Sequence, residues 1–339
     1  MDAVPIVDLR EGGPPAHAGQ RREQALALRE ACLGWLPCGG LLARLADPLA
    51  RGWLRRSASP LIGEIDAISR TLGRPGIWLL HGAYAFGCTA LADESADGPV
   101  LRRTLDWPFP GLGRLVAVTR QRGAAGVFLN VTWPGFAGVL TAVAPGRFAA
   151  SINQAPMRRR TSSGWLLWLD YVLNALAAFF TNGRPPPEHV LRRAFETCAT
   201  FDEACRLLAR EPIARPVLFL VTGCAAGERM LIERYGEQTR LYREANVVAN
   251  AWRDPSSPSW RPRVCGEGTP VENNRRRMAA MAAWTDRHPP RLAWAVPPVV
   301  NACTRIAVEM CAATGRLVVA GWEADGIGTI PVTAATEVF

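Results

Sequence analysis

The amino-acid sequence predicts an α+β fold, a layered sandwich in which two antiparallel sheets are packed between helices. Short apolar runs separated by Gly and Pro are typical of antiparallel strands, and four of them follow one another at 114–120, 126–132, 138–143 and 147–152. Two helical segments come next, at 188–197 and 201–210. Further strands then lead to a closing hairpin around Thr314-Gly315. Strands, then helices, then strands are the order expected of such a sandwich.

The part of the chain before residue 88 is predicted to be a separate and largely helical segment. Residues 1–20 are polar and rich in Gly and Pro, so we expect a disordered arm there. Between residues 26 and 54, leucines recur at helical spacing with arginines between them, which predicts two amphipathic helices. Such helices most often pack on a core, and weak contact with a membrane surface is the alternative.

The most apolar segment of the sequence is Gly164–Phe180. A helix of this length is short for a membrane span, which needs about 20 apolar residues, and Asp170 lies inside it. The segment therefore predicts a buried helix.

The formal net charge of +9 raises the possibility of a nucleic-acid partner. However, all 39 basic residues are arginines spread along the chain, and no nucleic-acid-binding motif accompanies them. The remaining composition, with 49% hydrophobic and 20% charged residues, is that of a globular protein able to bury a substantial core. We therefore expect no nucleic-acid partner.

The nine cysteines form no Cys-x-x-Cys pair and no Cys/His spacing typical of a metal site. We accordingly expect neither a metal nor another cofactor. An odd number of cysteines and an N-terminus without signal-peptide character predict reduced thiols and a cytoplasmic location. The oligomeric state stays open at this point.

The stretch Phe86–Phe109 predicts a β-hairpin, because two apolar runs flank a polar segment that ends in Asp97-Gly98. Asp-Gly is a frequent two-residue turn between antiparallel strands. Counting outward from this turn places Cys88 opposite Trp107.

Three reactive side chains meet at the open end of this predicted hairpin. Asp106 lies beside Cys88, and Arg103 projects from the same face of the sheet as the cysteine. A lone cysteine is more often buried and inert than catalytic. Taken alone, the hairpin therefore leaves a structural cysteine as the simpler interpretation.

The hairpin resembles the start of the mature chain in the N-terminal-nucleophile cysteine amidases. This superfamily includes choloylglycine hydrolases, penicillin V acylase, acid ceramidase and N-acylethanolamine acid amidase. Their Cys-Thr-Ser start and Gly-Arg-Asn-[Leu/Met]-Asp-aromatic segment correspond here to Cys88-Thr89-Ala90 and Arg102-Arg103-Thr104-Leu105-Asp106-Trp107. The sequence departs from the family pattern at Ala90, Arg102 and Thr104.

Three downstream segments extend the resemblance. The strand-like Gly146–Asn153 is similar to a family strand that ends in an asparagine of the site, and Val247–Asn250 to the segment that supplies the oxyanion asparagine. Asn273-Asn274-Arg275-Arg276 is similar to an Asp-Asp-Arg-Arg stretch whose first arginine is catalytic, here Arg275.

The resemblance implies an αββα four-layer fold and a precursor that cuts itself between Gly87 and Cys88. Residues 21–87 would be the propeptide or small subunit, and 88–339 the catalytic domain. The catalytic set would comprise Cys88, Arg103, Asp106, Asn153, Asn250 and Arg275.

Cleavage before Cys88 would give this residue a free α-amino group, whose reference pKa of about 7.7–8.0 suits a general base. Asp106 would hydrogen-bond the amine, and Arg103 would favour the thiolate. The side-chain amide of Asn250 and the backbone N–H of Asn153 are the candidate oxyanion donors. A Cys/His dyad with His81 is the less favoured alternative, since His81 would lie in the propeptide.

The sequence thus predicts an amidohydrolase that cleaves a linear, non-peptide N-acyl amide with an apolar acyl chain. Aromatic residues that could line an acyl groove, although such residues more often belong to a core, are Trp107, Phe109, Trp133 and Phe136. Two alternatives remain, namely an acyltransferase of the same fold and a catalytically inactive protein that binds lipid or a membrane.

Overall fold

Two sheets pack face to face at the centre of the molecule. The computed structural model describes residues 1–34, 38–82, 87–161, 164–181, 183–244, 246–254, 259–262, 268–284, 291–326 and 328–339. Its helices are α1 Gly13–Gln20, α2 Arg22–Gly34, α3 Gly39–Arg56, α4 Ile62–Leu72, α5 Ile77–Gly82, α6 Leu167–Thr181, α7 Pro187–Thr197, α8 Phe201–Arg210 and α9 Pro270–Ala282.

The strands fall into two large sheets and one short ribbon. They are β1 Ile6–Asp8, β2 Gly87–Ser95, β3 Gly98–Asp106, β4 Ala117–Gly123, β5 Gly126–Thr132, β6 Thr141–Ala144, β7 Phe148–Gln154, β8 Met157–Arg158, β9 Val217–Thr222, β10 Arg229–Tyr235, β11 Gln238–Tyr242, β12 Val247–Val248, β13 Trp260–Arg261, β14 Thr304–Cys311, β15 Arg316–Ala324, β16 Thr329–Pro331 and β17 Thr336–Val338.

The strand order defines the layers of the fold. The first sheet runs β1-β4-β5-β6-β7-β9-β10-β11, and the second runs β12-β2-β3-β14-β15-β16 with β17 also on β15. Strands β2 and β3 of the second sheet face β7 and β9 of the first. Helices α7 and α8 cover the outer side of the first sheet, and α9 packs on β2 and β12. This order of helix, sheet, sheet and helix confirms the predicted sandwich, whose inner faces share one apolar core.

The first 20 residues are ordered, so the expected disordered arm is wrong. Strand β1 extends the first sheet by parallel pairing with β4, and His17 and Ala18 on α1 are buried. The Gly-Pro content that suggested disorder has a local role instead. Gly12 adopts the left-handed conformation that precedes the helix, and prolines occupy the first turn of α1, where a missing N–H costs nothing.

Helix α6 is also different from the prediction, because much of its apolar surface faces outward. The exposed side chains in and just before this helix include Trp165, Leu167, Trp168, Tyr171, Val172 and Leu176. Only its polar side is anchored, through the buried Asp170, which pairs with Arg261. The periodicity of an all-apolar segment cannot tell burial from exposure. Among the described residues, no helix combines the length and apolar character needed to cross a bilayer.

Helices α2–α5 have a small core of their own, which includes Trp53, Ile65 and Trp78. They also meet the sandwich at two buried histidines. The Ala137 N–H donates to Nε2 of His81 at 3.1 Å, while the His81 Nδ1 lies 2.7 Å from its helical carbonyl acceptor. Nδ1 of His189 lies 2.7 Å from the Ser59 hydroxyl. The helical segment is therefore attached to the sandwich through neutral imidazoles.

This attachment makes stability depend on pH. Burial lowers the pKa of His81 to about 4, and burial together with the charges of Arg215 and Arg192 lowers the pKa of His189 well below 6.5. Because the unfolded chain binds these protons first, stability falls by up to about 1.4 kcal/mol per pH unit per histidine as the pH drops below about 6.5.

We expect His81→Gln to reduce this slope. Urea unfolding between pH 7.5 and pH 4.5 measures it, in a Cys88→Ala background that keeps the chain intact. The parent should lose more stability per pH unit than the variant, by about the contribution of one histidine. Equal slopes would show that His81 does not carry a buried neutral charge state.

Candidate active site

The β2–β3 hairpin carries the candidate nucleophile, but its turn is not the predicted one. Ser95 pairs with Gly98, and Cys88 pairs with Leu105 rather than with Trp107. The predicted register is therefore wrong by two residues. The Ser95 hydroxyl accepts from the Asp97 N–H and donates to the Gly98 carbonyl, which closes the turn two residues earlier than the Asp-Gly signal indicates.

The correction leaves the side-chain faces as predicted. A shift of two residues preserves every face of a strand, because side chains alternate with a period of two. Arg103 thus still projects beside Cys88, whereas Asp106 pairs with Gly87. The structure therefore brings the predicted Cys, Arg and Asp together, although Asp106 lies on the opposite side of the strand from the thiol.

Cys88 is fully buried in the intact chain. Its Sγ lies 2.8 Å from Nη2 of Arg103 and 3.6 Å from the Ile152 carbonyl oxygen. Burial raises the pKa of the thiol to about 11, although the nearby Arg103 opposes the rise. The uncut chain therefore holds a protonated thiol at neutral pH.

Strand β6 fixes the orientation of the Arg103 guanidinium. Its Nη1 donates to the Leu140 carbonyl at 2.9 Å and to the Thr141 hydroxyl. The other terminal nitrogen is then directed at the Cys88 sulfur. A guanidinium held in this way is positioned to favour the thiolate once the site loses part of its cover.

Asn250 holds the backbone nitrogen of the cysteine. The Cys88 N–H donates to Oδ1 of Asn250 at 2.8 Å, and Nη2 of Arg277 donates to the same oxygen at 3.1 Å. On its other side, Nδ2 of Asn250 donates to the Gln154 carbonyl at 2.9 Å. In the intact chain, the predicted oxyanion amide is thus occupied by a protein carbonyl, and Asn250 rather than Asp106 contacts the future amine.

A buried ion pair lies behind this contact. Nη1 of Arg277 is 3.1 Å from Oδ2 of Asp106, and both side chains are fully buried. The same nitrogen donates to the Cys88 carbonyl at 3.0 Å and to the Thr89 hydroxyl at 2.7 Å. Burial raises the pKa of Asp106 above its ordinary value, while Arg277 and a hydrogen bond from Thr304 oppose the rise.

Arg275 was the predicted arginine of the site, and the structure contradicts this position. Its side chain is 70% exposed and pairs with Glu272 on the surface of α9. Arg277 occupies the site instead. The phase of the helix carries a signal that would have found it, because Asn274, Arg277 and Met281 form the buried stripe of α9 at spacings of three and four.

Asn274 is a second site residue that the sequence did not single out. Its Oδ1 accepts from the Asn250 N–H at 3.0 Å and from Nη2 of Arg277 at 2.9 Å. One amide oxygen thereby sets the relative position of the two groups that contact Cys88.

Asn153 lies at the wall of the site rather than at the sulfur. Its Nδ2 donates to the Val248 and Ala249 carbonyls at 3.3 and 3.2 Å, which ties β7 to the segment that carries Asn250. The next residue, Gln154, contacts the thiol through a backbone hydrogen bond. No sequence pattern reveals such a residue, since it acts through its main chain.

The predicted groove aromatics form two groups. Trp107 contacts Phe109 and Trp133, with ring centroids 6.3 and 5.0 Å apart, and Trp133 is fully buried. Phe136 instead stacks on His81 at 5.7 Å. Both ring nitrogens of His81 are engaged elsewhere, so the alternative Cys/His dyad is not formed. Within the described part of the chain, no group of three or more His, Cys, Asp or Glu side chains is arranged to hold a metal.

A four-layer sandwich with a cysteine at the start of an inner strand, surrounded by Arg, Asp and Asn, is the arrangement that the hairpin motif predicts for the N-terminal-nucleophile class. Comparison with known proteins confirms the resemblance. The chain is 26% identical over 205 residues to N-acylethanolamine-hydrolyzing acid amidase of Caenorhabditis elegans, covering 56% of this chain and 55% of the relative. It is 25% identical over 233 residues to acid ceramidase of Balaenoptera acutorostrata scammoni, covering 63% and 57%.

The chain thus spans little more than half the length of these curated relatives. No family model matches it. Among solved structures, it is similar to the Caenorhabditis elegans ortholog of N-acylethanolamine-hydrolyzing acid amidase, with a TM-score of 0.49 and 17% identity over 66% of this chain and 93% of that one. It is also similar to penicillin V acylase from Agrobacterium tumefaciens, with a TM-score of 0.40 and 12% identity over 69% and 83%.

Proposed function

We propose that this protein is an amidohydrolase that cleaves a linear, non-peptide N-acyl amide, with Cys88 as the nucleophile. One observation carries the proposal. The Cys88 sulfur lies 2.8 Å from a fixed guanidinium, and the nitrogen of the same residue lies 2.8 Å from the Asn250 side chain. A nucleophile and its future base are therefore both held by specific partners.

The first step of the proposal is cleavage of the chain. The Cys88 sulfur attacks the Gly87 carbonyl carbon, the Gly87–Cys88 C–N bond breaks, and the nitrogen takes up a proton to become an α-amino group. Water then hydrolyses the thioester and leaves a carboxylate on Gly87. The four residues before Gly87 lie outside the described residues, and the Gly87–Cys88 bond itself lies in β2.

The second step is turnover of the external amide. The new amine, with a reference pKa of about 7.7–8.0, takes the proton from the thiol. The sulfur attacks the substrate carbonyl, the amine product leaves with a proton, and water resolves the acyl thioester. Asn250 orients the amine directly, and Asp106 acts through its ion pair with Arg277.

The oxyanion needs donors that are free of protein acceptors. We assign this role to Nδ2 of Asn250, which would exchange the Gln154 carbonyl for the substrate, and to the backbone at Asn153 and Gln154. Losing one such donor costs about 10²–10³ in rate.

An apolar acyl chain is the substrate feature that the relatives support. They are named for hydrolysis of N-acylethanolamines and of ceramide, and both compounds carry an acyl chain on an amide nitrogen. Trp107 and Phe109 follow β3 directly after Asp106 and are the candidate groove residues, whereas Trp133 packs in the core behind them.

The test combines processing with product analysis. Purified chain is incubated at neutral and mildly acidic pH, and intact mass and N-terminal sequencing follow the cut. A larger fragment that begins Cys-Thr-Ala-Leu, together with release of fatty acid from N-acylethanolamines or ceramide, supports the proposal. Hydroxylamine as a competing amine separates hydrolase from acyltransferase. An uncut chain without turnover at every pH would favour the inactive lipid-binding alternative.

We also propose that the protein contacts a membrane surface, where such substrates reside. The exposed apolar side chains of α3 are Leu41, Leu42, Leu45 and Leu49. Helix α6 packs on α3 and adds its own exposed aromatic and aliphatic side chains. These residues of α3 and α6 are called the apolar surface below. Apolar side chains flanked by arginines are typical of helices that lie in a lipid interface, and this surface includes most of the stretch 26–54.

A further inference from the structure

A cleft of about 380 Å³ opens beside the apolar surface, between α3, α4 and the start of α5. Its walls are formed by Arg44, Asp47, Pro48, Arg51, Gly52, Arg55, Ser69, Pro75 and Trp78. Three of these residues are arginines of a single helix, and the apolar part of the lining comes from two prolines and one tryptophan. The cleft is therefore large enough for a small polar group and is lined by guanidinium groups.

Two of the lining charges are already engaged within the protein. Arg51 pairs with Asp66 at 2.7 Å and lies over the Trp78 ring at 5.3 Å. The carboxylate of Asp47 accepts from the Leu79 N–H at 2.9 Å, which holds the start of α5. These contacts fix one wall of the cleft and leave its carboxylate turned toward the backbone.

The other two arginines are uncommitted. In the part of the chain that the structure describes, neither Arg44 nor Arg55 forms an ion pair or a hydrogen bond, and both side chains are exposed. Guanidinium groups match the geometry of phosphate oxygens and bind them with paired hydrogen bonds. The charge of the cleft is therefore complementary to a phosphate.

We propose that this cleft holds the phosphate of an anionic phospholipid while the apolar surface rests on the membrane. The position of the cleft decides between a lipid headgroup and a free phosphate ester. Arg44 lies between Leu42 and Leu45 in sequence, on the flank of the exposed leucines, so a lipid anchored there presents its phosphate at the level of the guanidinium. The proposal rests on the membrane contact proposed above and adds a specific lipid to it.

Gly52 offers a way to close the cleft without changing its charge. A Cβ atom built on Gly52 meets only the side-chain end of Arg56, at 3.6 Å. The residue lies inside α3, where leucine has the higher helix propensity. Gly52→Leu should therefore fold and fill the cleft.

The experiment measures binding of the full chain to vesicles of phosphatidylcholine alone and with one-fifth phosphatidylglycerol. We expect phosphatidylglycerol to raise the affinity of the parent roughly tenfold or more, as two arginines at an anionic surface would. Arg44→Gln/Arg55→Gln and Gly52→Leu should each lose most of this ratio and keep binding to phosphatidylcholine. The matched control is Arg206→Gln/Arg210→Gln, which removes two exposed arginines of α8 and should keep the ratio.

The outcomes separate the cleft from its premise. Loss of the ratio in the arginine variant but not in Gly52→Leu would indicate diffuse charge attraction and overturn the cleft. Glycerol phosphate that competes in the absence of vesicles, at the affinity of the lipid, would make the ligand a free ester. If the parent binds neither vesicle, the membrane contact itself fails. Hydrolysis of a soluble amide by the same preparations reports the amidase separately.

Discussion

Replacement of Cys88 by Ala should abolish both cleavage of the chain and turnover of N-acyl amides. Removing a nucleophile leaves only the binding contribution of the site, so we expect a loss of at least roughly 10³-fold in rate. Intact mass should show one chain at every pH, and the fatty-acid assay should give the background rate. Cys205→Ala is the matched control, since it removes another buried, free thiol on α8 and should leave both activities in place.

Cysteine labelling of the parent adds a second readout to this prediction. In the uncut chain, the pKa of Cys88 is raised to about 11 by burial, so iodoacetamide should label it slowly at pH 7.5. Labelling should accelerate when the chain is cut, because cleavage frees the residue at its backbone nitrogen and opens the cover of the site. Rapid labelling of the uncut chain would contradict the protonated, buried thiol, and turnover by Cys88→Ala would identify a different nucleophile.

The side chains around the thiol could be predicted from the sequence because strand alternation is insensitive to an even shift in register. The Asp97-Gly98 signal placed the turn two residues too late, yet Arg103 still lies beside Cys88. An odd shift would have moved Arg103 to the other face. The layered sandwich was predictable for a related reason, since each strand carries its own period-two signal.

Other parts of the site could not be read from residue types. Gln154 contacts the thiol through its backbone, and the role of Asn274 depends on a hydrogen bond between two segments distant in sequence. The exposure of α6 had no local signal either, because a continuous apolar run has no polar face to mark its outward side. In this helix, Trp168 is exposed although its composition suggests a core.

Two arginines of α9 provide the sharpest test of the site, since they lie two residues apart on opposite sides of one helix. Arg277→Gln should destabilise the protein by about 3–5 kcal/mol, because it leaves the buried Asp106 without its partner. It should also reduce amidase activity and cleavage by at least roughly 10²-fold, since Arg277 contacts both the Cys88 carbonyl and Asn250. Arg275→Gln should leave unfolding by urea and both activities unchanged, because its ion pair with Glu272 is exposed.

A double variant separates a role in the reaction from a role in folding. Arg277→Gln combined with Asp106→Asn removes both charges of the buried pair, so much of the lost stability should return as a favourable coupling energy. Activity should stay low, because the contact with the Cys88 carbonyl and the Asn250 side chain is still missing. Recovery of activity together with stability would limit Arg277 to a structural role. Loss of activity in Arg275→Gln would instead mean that the predicted arginine acts at the site despite its exposure, and that α9 turns when the chain is cut.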